Sequence, residues 1–331
     1  MKTENNLWQQ FTSWEHMIRA YKSVRKGKKK KPSAIEFHAN WEELMICIHE
    51  HLQHESWKPS GFRSFMVHEP KERMIEAPAY KDRIIHHALH LTVNPIFERK
   101  FIKDSYACRI GKGTHAAASA VQNHLRKARR NAGGKVYALQ MDIRGYFHHI
   151  DHAILKQQIR RAISDRRLLK IWDRIIDIGG ERGVGQPIGA LTSQLAANIY
   201  LNDLDHFCKD DLGLKHYVRY MDDFVIIHPN KNYLIQLQCQ IEKWLCENLK
   251  LSLSKWSMYP ETEGVDFCGY RTWANHIRPR KRNVYRAKRR LKAQLKRGDL
   301  AAYSASLASF RGYLKNCTNG DRYVAAKNSN A

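Results

Sequence analysis

Three aspartates have the type and spacing to bind metal ions. Asp142 stands near the end of an apolar stretch, and Asp222 and Asp223 lie side by side between two apolar stretches. Carboxylates crowded at buried strand ends repel one another unless cations neutralise them, and hard divalent cations such as Mg²⁺ prefer oxygen ligands. Two such ions about 3.5–4 Å apart can activate an attacking hydroxyl and stabilise a leaving phosphate oxygen. Adjacent aspartates are also common in ordinary turns, so an interpretation without metal stands beside this one.

The hydrophobic pattern predicts the elements that hold these aspartates. KVYALQMDI, which contains Asp142, predicts a buried strand, and HYVRYMDDFVIIH predicts a hairpin with the adjacent aspartates at its tip. Residues 61–80 are predicted to be irregular and extended, and Pro95 is expected to end or kink its helix. Two further strands are expected around 251–273. Helices are predicted over 7–57 (around a lysine-rich loop), 81–101, 114–130, 151–176, after the loop GGERGVGQPIG, and over 234–249.

The 331-residue chain has a formal net charge of +25, so an anionic partner is expected and nucleic acid is the first candidate. Seven of the ten residues from 22 to 31 are basic, which fits a solvated, mobile segment as well as a binding segment. Residues 277–297 contain eleven Lys and Arg and no acid. Apolar residues recur in this block at helical spacing: Val284, Ala287, Leu291 and Leu295. The block predicts a helix that docks by one face and turns its basic face toward a phosphate backbone.

Composition excludes several classes of protein. A hydrophobic content of 43% is too high for a disordered chain. No apolar run reaches the roughly 18 residues of a membrane span, and the start of the sequence has no signal-peptide core. The seven cysteines are widely spaced without a C-x-x-C pair, which argues against a disulfide scaffold. The clustered histidines lack partners at metal-binding spacing, so surface and RNA contacts are favoured over structural zinc. A soluble, intracellular protein is expected.

From about residue 60 onward the sequence resembles a reverse transcriptase. MDIRGYF, which contains Asp142, is similar to the family's motif A, and YMDD is similar to motif C. The resemblance implies an α+β fold, a right-hand polymerase with fingers, a palm of antiparallel sheet and helices, and a short helical thumb. The implied catalytic residues are Asp142, Asp222 and Asp223. Together with Ile143, these are also the implied ligands of two Mg²⁺ ions, for which Mn²⁺ can substitute.

The resemblance also assigns groups that bind the incoming nucleotide. Phe147 lies five residues after the first aspartate, where the family places an aromatic gate against a ribose 2′-hydroxyl; core packing is the alternative. RMIEAPAYKDRIIHHAL resembles a motif of the fingers, so Arg73, Lys81 and Arg83 are expected to grip the triphosphate. Ordinary surface salt bridges are the alternative for these cations. LSLSKWSM places Lys255 where motif D has a lysine near the departing pyrophosphate.

Motif B departs from the pattern of most reverse transcriptases. They carry Gln-Gly-x-x-x-Ser-Pro, whereas this chain has PIGALTSQLAAN, with Ile188 replacing the glutamine and Gln194 replacing the proline. This form is similar to reverse transcriptases of diversity-generating retroelements, which misincorporate preferentially opposite adenine. An apolar Ile188 checks shape but cannot penalise unmatched polar base edges, which predicts low selectivity. Gly189 permits close backbone approach, and Asn198 is expected to contact the dNTP region.

The resemblance implies four regions, and within them DFCGY is similar to motif E, the primer grip. The expected regions are an N-terminal helical extension with the lysine-rich loop (1–60), fingers (61–135 and 151–185), palm (136–150 and 186–270) and thumb (271–331).

The implied function is RNA-directed DNA polymerase, a nucleotidyltransferase that copies a template-repeat RNA into cDNA with adenine-directed low fidelity for mutagenic retrohoming. The implied partners are template RNA, a structured element RNA, cDNA primer and product, dNTPs and a small basic oligomeric accessory variability protein. No membrane association is expected, and the location is expected to be the cytoplasm of a bacterial or phage-encoded system. The alternatives are an ordinary-fidelity reverse transcriptase of the group-II-intron-like or retron type and a non-catalytic RNA-binding scaffold.

Overall fold

The computed structural model describes residues 3–68 and 72–324, which form two compact units. The first unit takes in the described residues of Met1–Ile102, together with Arg144–Asp205 and Trp244–Ser252. The second unit takes in Lys103–Ile143, His206–Lys243 and the described residues of Leu253–Ala331. Each unit is therefore assembled from segments that are distant in the sequence.

Helices and antiparallel sheets together make an α+β fold, as predicted. In chain order the helices are α1 (Trp8–Thr12), α2 (Trp14–Arg25), α3 (Pro32–Ala39), α4 (Trp41–Gln53), α5 (Tyr80–Glu98), α6 (Thr114–Ala132), α7 (His152–Arg160), α8 (Arg166–Asp177), α9 (Leu191–Tyr200), α10 (Asn202–His206), α11 (Lys231–Leu249), α12 (Lys281–Lys296) and α13 (Leu300–Leu314). The strands are β1 (Phe62–Val67), β2 (Arg73–Pro78), β3 (Tyr137–Ile143), β4 (Tyr217–Tyr220), β5 (Asp223–His228), β6 (Leu253–Pro260), β7 (Val265–Phe267), β8 (Tyr270–Thr272) and β9 (Ile277–Pro279). In the described part of the chain, no helix combines the length and apolarity needed to cross a membrane.

A four-stranded antiparallel sheet in the second unit carries the three aspartates. Its strands lie in the order β4, β5, β3, β6, so β3 is paired on both sides. The predicted buried strand and the predicted hairpin are both confirmed, as β3 and as the β4–β5 pair. Leu139, Met141 and Ile143, which share one face of β3, are buried, whereas Gln140 and Asp142 on the other face are half-buried. Because a slip of one residue would exchange the two faces of the strand, burial of the first set fixes the direction in which Asp142 points.

Residues 61–80, predicted to be irregular and extended, contain two extended segments that pair with each other as regular strands. β1 and β2 pair as antiparallel strands from Phe62 and Pro78 to Val67 and Arg73. Four of the six residues of β1 are exposed, whereas β2 has two exposed, three half-buried and one buried residue. The sequence therefore lacks the alternation of apolar and polar residues by which a half-buried strand is recognised.

Local interactions refine two helical predictions. Pro95 lies inside α5 and does not end it, because buried side chains on both sides of it hold the helix against the core. A kink at Pro95 stays a prediction. Residues 151–176 divide into α7 and α8. The second of these helices begins where the Asp165 carboxylate accepts a hydrogen bond of 3.1 Å from the Leu168 N–H, as an N-cap does.

The C-terminal part of the second unit combines a small sheet with two helices. β7, β8 and β9 form an antiparallel sheet. Residues 251–273 contain β6, β7 and β8, three strands rather than the predicted two. α12 and α13 share a core of Ala287, Phe310 and Leu314, flanked by Val284 and Leu291. Leu295 is 50% exposed. The face by which α12 packs against α13 is therefore one turn shorter than the sequence predicts.

Candidate active site

Asp142 lies at the centre of a row of ionisable side chains across the four-stranded sheet. Its cross-strand partners are Asp223 on β5 and Lys255 on β6. Directly paired residues project from the same face of a sheet and hold their Cβ atoms about 4.5–5.5 Å apart. The structure therefore brings three of the predicted site residues together. Lys255 and Asp223 lie on opposite sides of Asp142.

The predicted hairpin tip is a two-residue turn that adjoins the end of β3. Tyr220 pairs with Asp223, which leaves Met221 and Asp222 in the turn. Met221 has a left-handed φ of 57°. The Ile143 N–H donates a hydrogen bond of 3.2 Å to the Asp222 carbonyl. The end of β3, and with it the first aspartate, is thereby tied to the turn.

The environment of Asp223 concentrates negative charge. The pKa of its carboxyl is raised to about 7, chiefly by burial and further by the carboxylates of Asp142 and Asp222. The Gln140 amide opposes this shift by donating to both carboxylate oxygens, at 3.0 and 3.3 Å. Gln140 in turn accepts a hydrogen bond of 2.9 Å from the Tyr259 hydroxyl. Crowded charges of this kind are stabilised when a cation binds.

Two polar residues that the sequence analysis missed hold these carboxylates. Gln140 bonds Asp223, and the Ser254 hydroxyl donates to the Asp142 carboxylate at 2.5 Å. A signal for both exists in the sequence. Gln140 is two residues before Asp142 and so lies on the same face of β3, and Ser254 directly precedes Lys255.

Arg219 is a further residue that the motifs did not indicate. Arg219 directly precedes the YMDD residues that form the hairpin tip, and its side chain is fully buried. Its guanidinium donates to the Met221 carbonyl at 3.0 Å and to the Ser105 hydroxyl at 3.2 Å. Since a buried charge is costly unless it is hydrogen-bonded, these contacts stabilise the turn that presents Asp222. An arginine within an otherwise apolar strand is the signal that could have identified it.

The donor set at the hairpin tip fits a divalent metal ion. Among residues 3–68 and 72–324, no three His, Cys, Asp or Glu side chains are grouped so that they could hold a metal unaided. Mg²⁺, however, keeps several waters and takes only one or two carboxylates, with substrate phosphates completing its shell. Asp142, Asp222 and Asp223 offer such carboxylates. Ile143 can offer only its backbone carbonyl, because its side chain is a buried hydrocarbon.

The turn of DFCGY, the predicted motif E, lies beside the aspartates. Cys268 and Gly269 join β7 to β8, and both have positive φ, as a type I′ turn requires. The Gly269 carbonyl accepts hydrogen bonds from the Arg280 N–H, at 3.0 Å, and from the Tyr313 hydroxyl. Burial, and secondarily the carboxylate of Asp223, raises the pKa of the Cys268 thiol. The turn is therefore held by the C-terminal helices and is close to the carboxylates.

The predicted motif B residues lie in the first unit, where their loop is fastened to β2. The Glu76 N–H donates to the Ile188 carbonyl at 2.9 Å. Gly189 has a φ of 134°, and a Cβ there would come within 2.8 Å of a β2 side chain and 3.0 Å of the Glu76 carbonyl oxygen. This close approach explains the glycine. Ile188 and Gln194 are half-buried, whereas Asn198 is buried.

Phe147 lies in a 3₁₀ turn that is bonded to the motif B segment. Its carbonyl accepts a hydrogen bond of 2.7 Å from the Gln186 N–H, and the neighbouring Tyr146 hydroxyl donates to the Ala197 carbonyl at 2.5 Å. These bonds hold the end of motif A and motif B side by side within the first unit. The Phe147 ring is half-buried.

The three predicted triphosphate-binding cations lie along β2 and the start of α5. Arg73 and Lys81 are exposed, and Arg83 is half-buried with its Nε donating to the Pro78 carbonyl at 2.8 Å. None of the three forms a salt bridge with an acidic residue in the described part of the chain. The alternative of ordinary salt bridges is therefore not favoured.

A comparison with protein families identifies the chain. Residues 59–272, which include Asp142, the hairpin tip and Lys255, match the family described as Reverse transcriptase (RNA-dependent DNA polymerase). The chain belongs to the reverse transcriptase family. Members of this family generally use divalent metal ions, in agreement with the donor set.

Curated relatives of this reverse transcriptase include proteins of group II introns. It is 33% identical over 144 residues to Protein YkfC of Escherichia coli (strain K12), covering 41% of this chain and 37% of that protein. It is 27% identical over 176 residues to the group II intron-encoded protein LtrA of Lactococcus lactis subsp. cremoris, covering 50% of this chain and 28% of that protein. The chain thus spans well under half the length of these relatives.

Solved structures similar to this reverse transcriptase include telomerases. The telomerase of Candida albicans in complex with a TWJ fragment of telomeric RNA has a TM-score of 0.51 and 13% identity, covering 72% of this chain and 51% of that chain. An apo telomerase from Candida tropicalis, truncated from its C-terminal domain, has a TM-score of 0.50 and 12% identity, covering 73% of this chain and 60% of that chain. The similarity supports the α+β polymerase-like fold.

Proposed function

We propose that this reverse transcriptase copies a template-repeat RNA into cDNA with low fidelity opposite adenine and acts in mutagenic retrohoming, which diversifies a target gene. The observation that carries the proposal is the motif B loop. Ile188 stands where most reverse transcriptases have glutamine, and Gln194 stands where they have proline. The bond between the Ile188 carbonyl and β2 supports the proposal, because it holds the residue in one place.

The carboxylates of the second unit supply the polymerase chemistry in this proposal. Asp142 and Asp222 hold Mg²⁺, with Mn²⁺ able to substitute, and Asp223 lies beside them. The bound metal would activate the primer hydroxyl and stabilise the leaving phosphate oxygen. Ser254 keeps the Asp142 carboxylate oriented through its hydrogen bond. Lys255, directly across from Asp142, supplies a positive charge to the departing pyrophosphate.

The first unit binds the incoming nucleotide in this proposal. A triphosphate carries several negative charges near pH 7, and the planar fork of arginine suits its oxygens. Arg73, Lys81 and Arg83 supply the cations. β2 carries Arg73 and also holds the Ile188 loop through Glu76, so one strand connects part of the triphosphate grip to the loop that checks the base pair.

Substitution of Ile188 by asparagine is expected to lower misincorporation opposite template adenine more than opposite the other bases. Asparagine restores a hydrogen-bonding side chain at a position where isoleucine supplies none. One discriminating hydrogen bond contributes about 1–3 kcal/mol, or roughly a 5- to 150-fold change in selectivity. The measurement is sequencing of cDNA made by the parent and the variant on one template of mixed composition.

Val184 provides a matched control for this experiment. It is an exposed apolar residue in the same loop region, 37% exposed, so Val184→Asn introduces the same side chain without altering the motif. Its error spectrum should equal that of the parent. A parent that copies adenine as faithfully as uracil, or an Ile188→Asn variant with an unchanged spectrum, would contradict the proposed function.

Substitution of Phe147 by alanine is expected to admit ribonucleotides. The half-buried ring, placed against the sugar, leaves no room for a 2′-hydroxyl, and its removal should raise rNTP incorporation relative to dNTP by about 10-fold or more. Single-nucleotide incorporation on a primed RNA template measures the ratio. His148→Ala, an exposed neighbour in the same 3₁₀ turn, is the control. Undiminished rejection of rNTPs by the Phe147 variant would show that the ring is only a core residue.

A second candidate is an ordinary-fidelity reverse transcriptase of the group-II-intron-like type. The similarity to LtrA favours it. The cDNA error spectrum of the parent protein separates the two candidates, because only the diversity-generating function requires errors concentrated at adenine. A chain that binds RNA but incorporates no dNTP would instead be a non-catalytic scaffold.

The proposed function includes several partners. The first is a structured element RNA, which supplies the template and the primer. The second is a small basic oligomeric accessory protein. The proposed location of all of them is the cytoplasm. A chain with a net charge of +25 repels a basic partner across a bare interface. Such a complex therefore needs either bridging RNA or a local acidic patch. The fingers, palm and thumb boundaries given above belong to the same proposal.

A further inference from the structure

His86 is a buried histidine to which the proposed function gives no role. The sequence predicts surface and RNA contacts for the clustered histidines, but His86 is only 2% exposed. Its Nδ1 lies 2.7 Å from the hydroxyl oxygen of Thr192, which is also buried, and the two groups share a hydrogen bond. The two residues are 106 positions apart in the sequence. A buried polar contact therefore joins α5, which carries His86, to α9, which carries Thr192.

Both ends of this contact adjoin residues that the proposed function assigns to the incoming nucleotide. Arg83 is three residues before His86 on α5, so the two side chains are neighbours on the helix surface. Thr192 is the second residue of α9 and follows the motif B residues Ile188 and Gly189 by a few positions. The contact thus links the helix whose first turn carries two of the triphosphate-binding cations to the helix that follows the motif B loop.

The chain from Ile188 to Thr192 is attached at both of its ends. The Ile188 carbonyl accepts a hydrogen bond of 2.9 Å from the Glu76 N–H of β2, and the Thr192 side chain is bonded to His86. At Ala190, where α9 begins, no side chain caps the helix. The first turn of α9 therefore takes its direction from these two attachments, and a segment is positioned precisely when such supporting hydrogen bonds hold it.

His86 is held in its uncharged form. Burial, and secondarily the ring of His87 and the guanidinium of Arg83, lower the pKa of the His86 imidazole to about 3. The ring is therefore neutral near pH 7. A neutral, buried ring adds no charge to a phosphate-binding surface, so the contribution of His86 is to geometry rather than to phosphate binding.

The hydrogen bond specifies the arrangement of the two helices more closely than apolar packing does. Ile84, Ile85, Ala88 and Leu89 on α5 are all fully buried, and an apolar side chain in place of His86 would extend this packing. Replacing both partners of a buried hydrogen bond by apolar groups of the same shape changes stability little. A hydrogen bond, however, tolerates only a narrow range of distance and direction, and a satisfied buried polar contact makes a core more rigid.

We propose that His86 is a positioning residue for the incoming nucleotide. It fixes α9 against α5, so that the motif B loop and the triphosphate-binding cations keep one spacing. The proposal rests on the roles that the proposed function gives to these two groups. It does not depend on the choice between low and ordinary fidelity, because every reverse transcriptase binds a dNTP. Loss of the contact should weaken dNTP binding rather than slow the chemical step, since other elements hold the catalytic carboxylates.

The test compares two buried histidines at different interfaces of α5. His86→Leu removes the contact with α9. His16→Leu removes a contact with α2, in which the His16 Nε2 lies 2.9 Å from both the Ala88 carbonyl and the Thr92 hydroxyl. Single-nucleotide incorporation on a primed RNA template gives the KM for dNTP and kcat. His86→Leu should raise KM by about 5-fold or more and change kcat by less than about 2-fold, while His16→Leu keeps the parental KM.

The partner residue provides the same test without altering α5. Thr192→Val removes the hydroxyl and nearly preserves the shape of the side chain, so it should raise KM as His86→Leu does. Thr192→Ser keeps the hydroxyl and should keep the parental KM. His86→Asn retains a hydrogen-bonding atom near the position of Nδ1 and should recover part of the parental value. The double variant should have a KM no higher than either single variant, because both substitutions remove one hydrogen bond.

A parental KM in His86→Leu and Thr192→Val, with only a lower melting temperature, would overturn the proposal and leave His86 as a stabilising core residue. An equal rise of KM in His16→Leu would refute it as well, because any loosening of α5 would then suffice. Arg73→Ala separates this outcome from a failure of the proposed function. An unchanged KM in Arg73→Ala refutes the assigned triphosphate grip, whereas a raised KM there beside a parental KM in His86→Leu refutes the positioning role alone.

Discussion

Replacement of Asp222 by alanine is expected to lower dNTP incorporation on a primed RNA template by about 1,000-fold or more, with RNA affinity nearly unchanged. The turn that carries Asp222 is bonded to the end of β3, beside Asp142. In the proposed function, loss of the Asp222 carboxylate removes a metal ligand and one of the negative charges that attract the metal. RNA affinity should persist, because it derives from cationic surfaces rather than from this acid. Primer extension and filter binding on the same preparation measure the two quantities.

Asp211 provides the control for this prediction. It is an exposed aspartate in the same unit, outside the site, so Asp211→Ala removes an equal charge and should leave both quantities at the parental level. Incorporation by Asp222→Ala at more than a few per cent of the parent would exclude Asp222 as a metal ligand and would contradict the assignment of the hairpin tip.

Replacement of Arg219 by methionine is expected to lower incorporation by about 5- to 150-fold and to raise the Mg²⁺ concentration required for half-maximal rate. Arg219 donates to the carbonyl of Met221, which holds a left-handed φ directly before Asp222. A carbonyl that loses its donor away from water costs about 1–3 kcal/mol, and because the Met221 carbonyl is partly buried the lower end is expected. Relaxation of the turn would displace the carboxylate that follows. Arg219 is thus a positioning residue. The measurement is the rate as a function of Mg²⁺ concentration.

Two companion variants identify the origin of the Arg219 effect. Ser105→Ala removes the hydroxyl that also accepts from the guanidinium, without freeing the carbonyl of the turn. Its Mg²⁺ requirement should stay at the parental value. Arg219→Lys should recover part of the rate. If Arg219→Met lowers the melting temperature but leaves the Mg²⁺ requirement unchanged, the arginine only stabilises the fold and does not position Asp222.

Local patterns were sufficient to predict the elements that carry the chemistry. The apolar run before Asp142 and the two apolar runs around the adjacent aspartates led to β3 and to the β4–β5 hairpin, since strand formation here depends on neighbours within a few residues. The pairing of β1 with β2 was missed because neither strand shows an alternation of buried and exposed residues. Leu295 was predicted to belong to the docking face of α12 but is half exposed. Helical spacing alone does not show how far along α12 the contact with α13 extends.

The sequence by itself determined which residues could do chemistry: the carboxylates of motifs A and C, the cations of the fingers, the aromatic residue after motif A and the unusual motif B. Tertiary structure alone decided what orients them. Gln140 reaches Asp223 across 83 positions of the sequence, Ser254 reaches Asp142 across 112, and Arg219 reaches Ser105 across 114. The first two contacts follow from the strand order, in which β3 lies between β5 and β6 although neither adjoins it in the chain. A local sequence pattern indicates which secondary structure a segment forms. Which distant strand it pairs with depends on how the whole sheet buries its apolar face, and a local pattern does not contain that information.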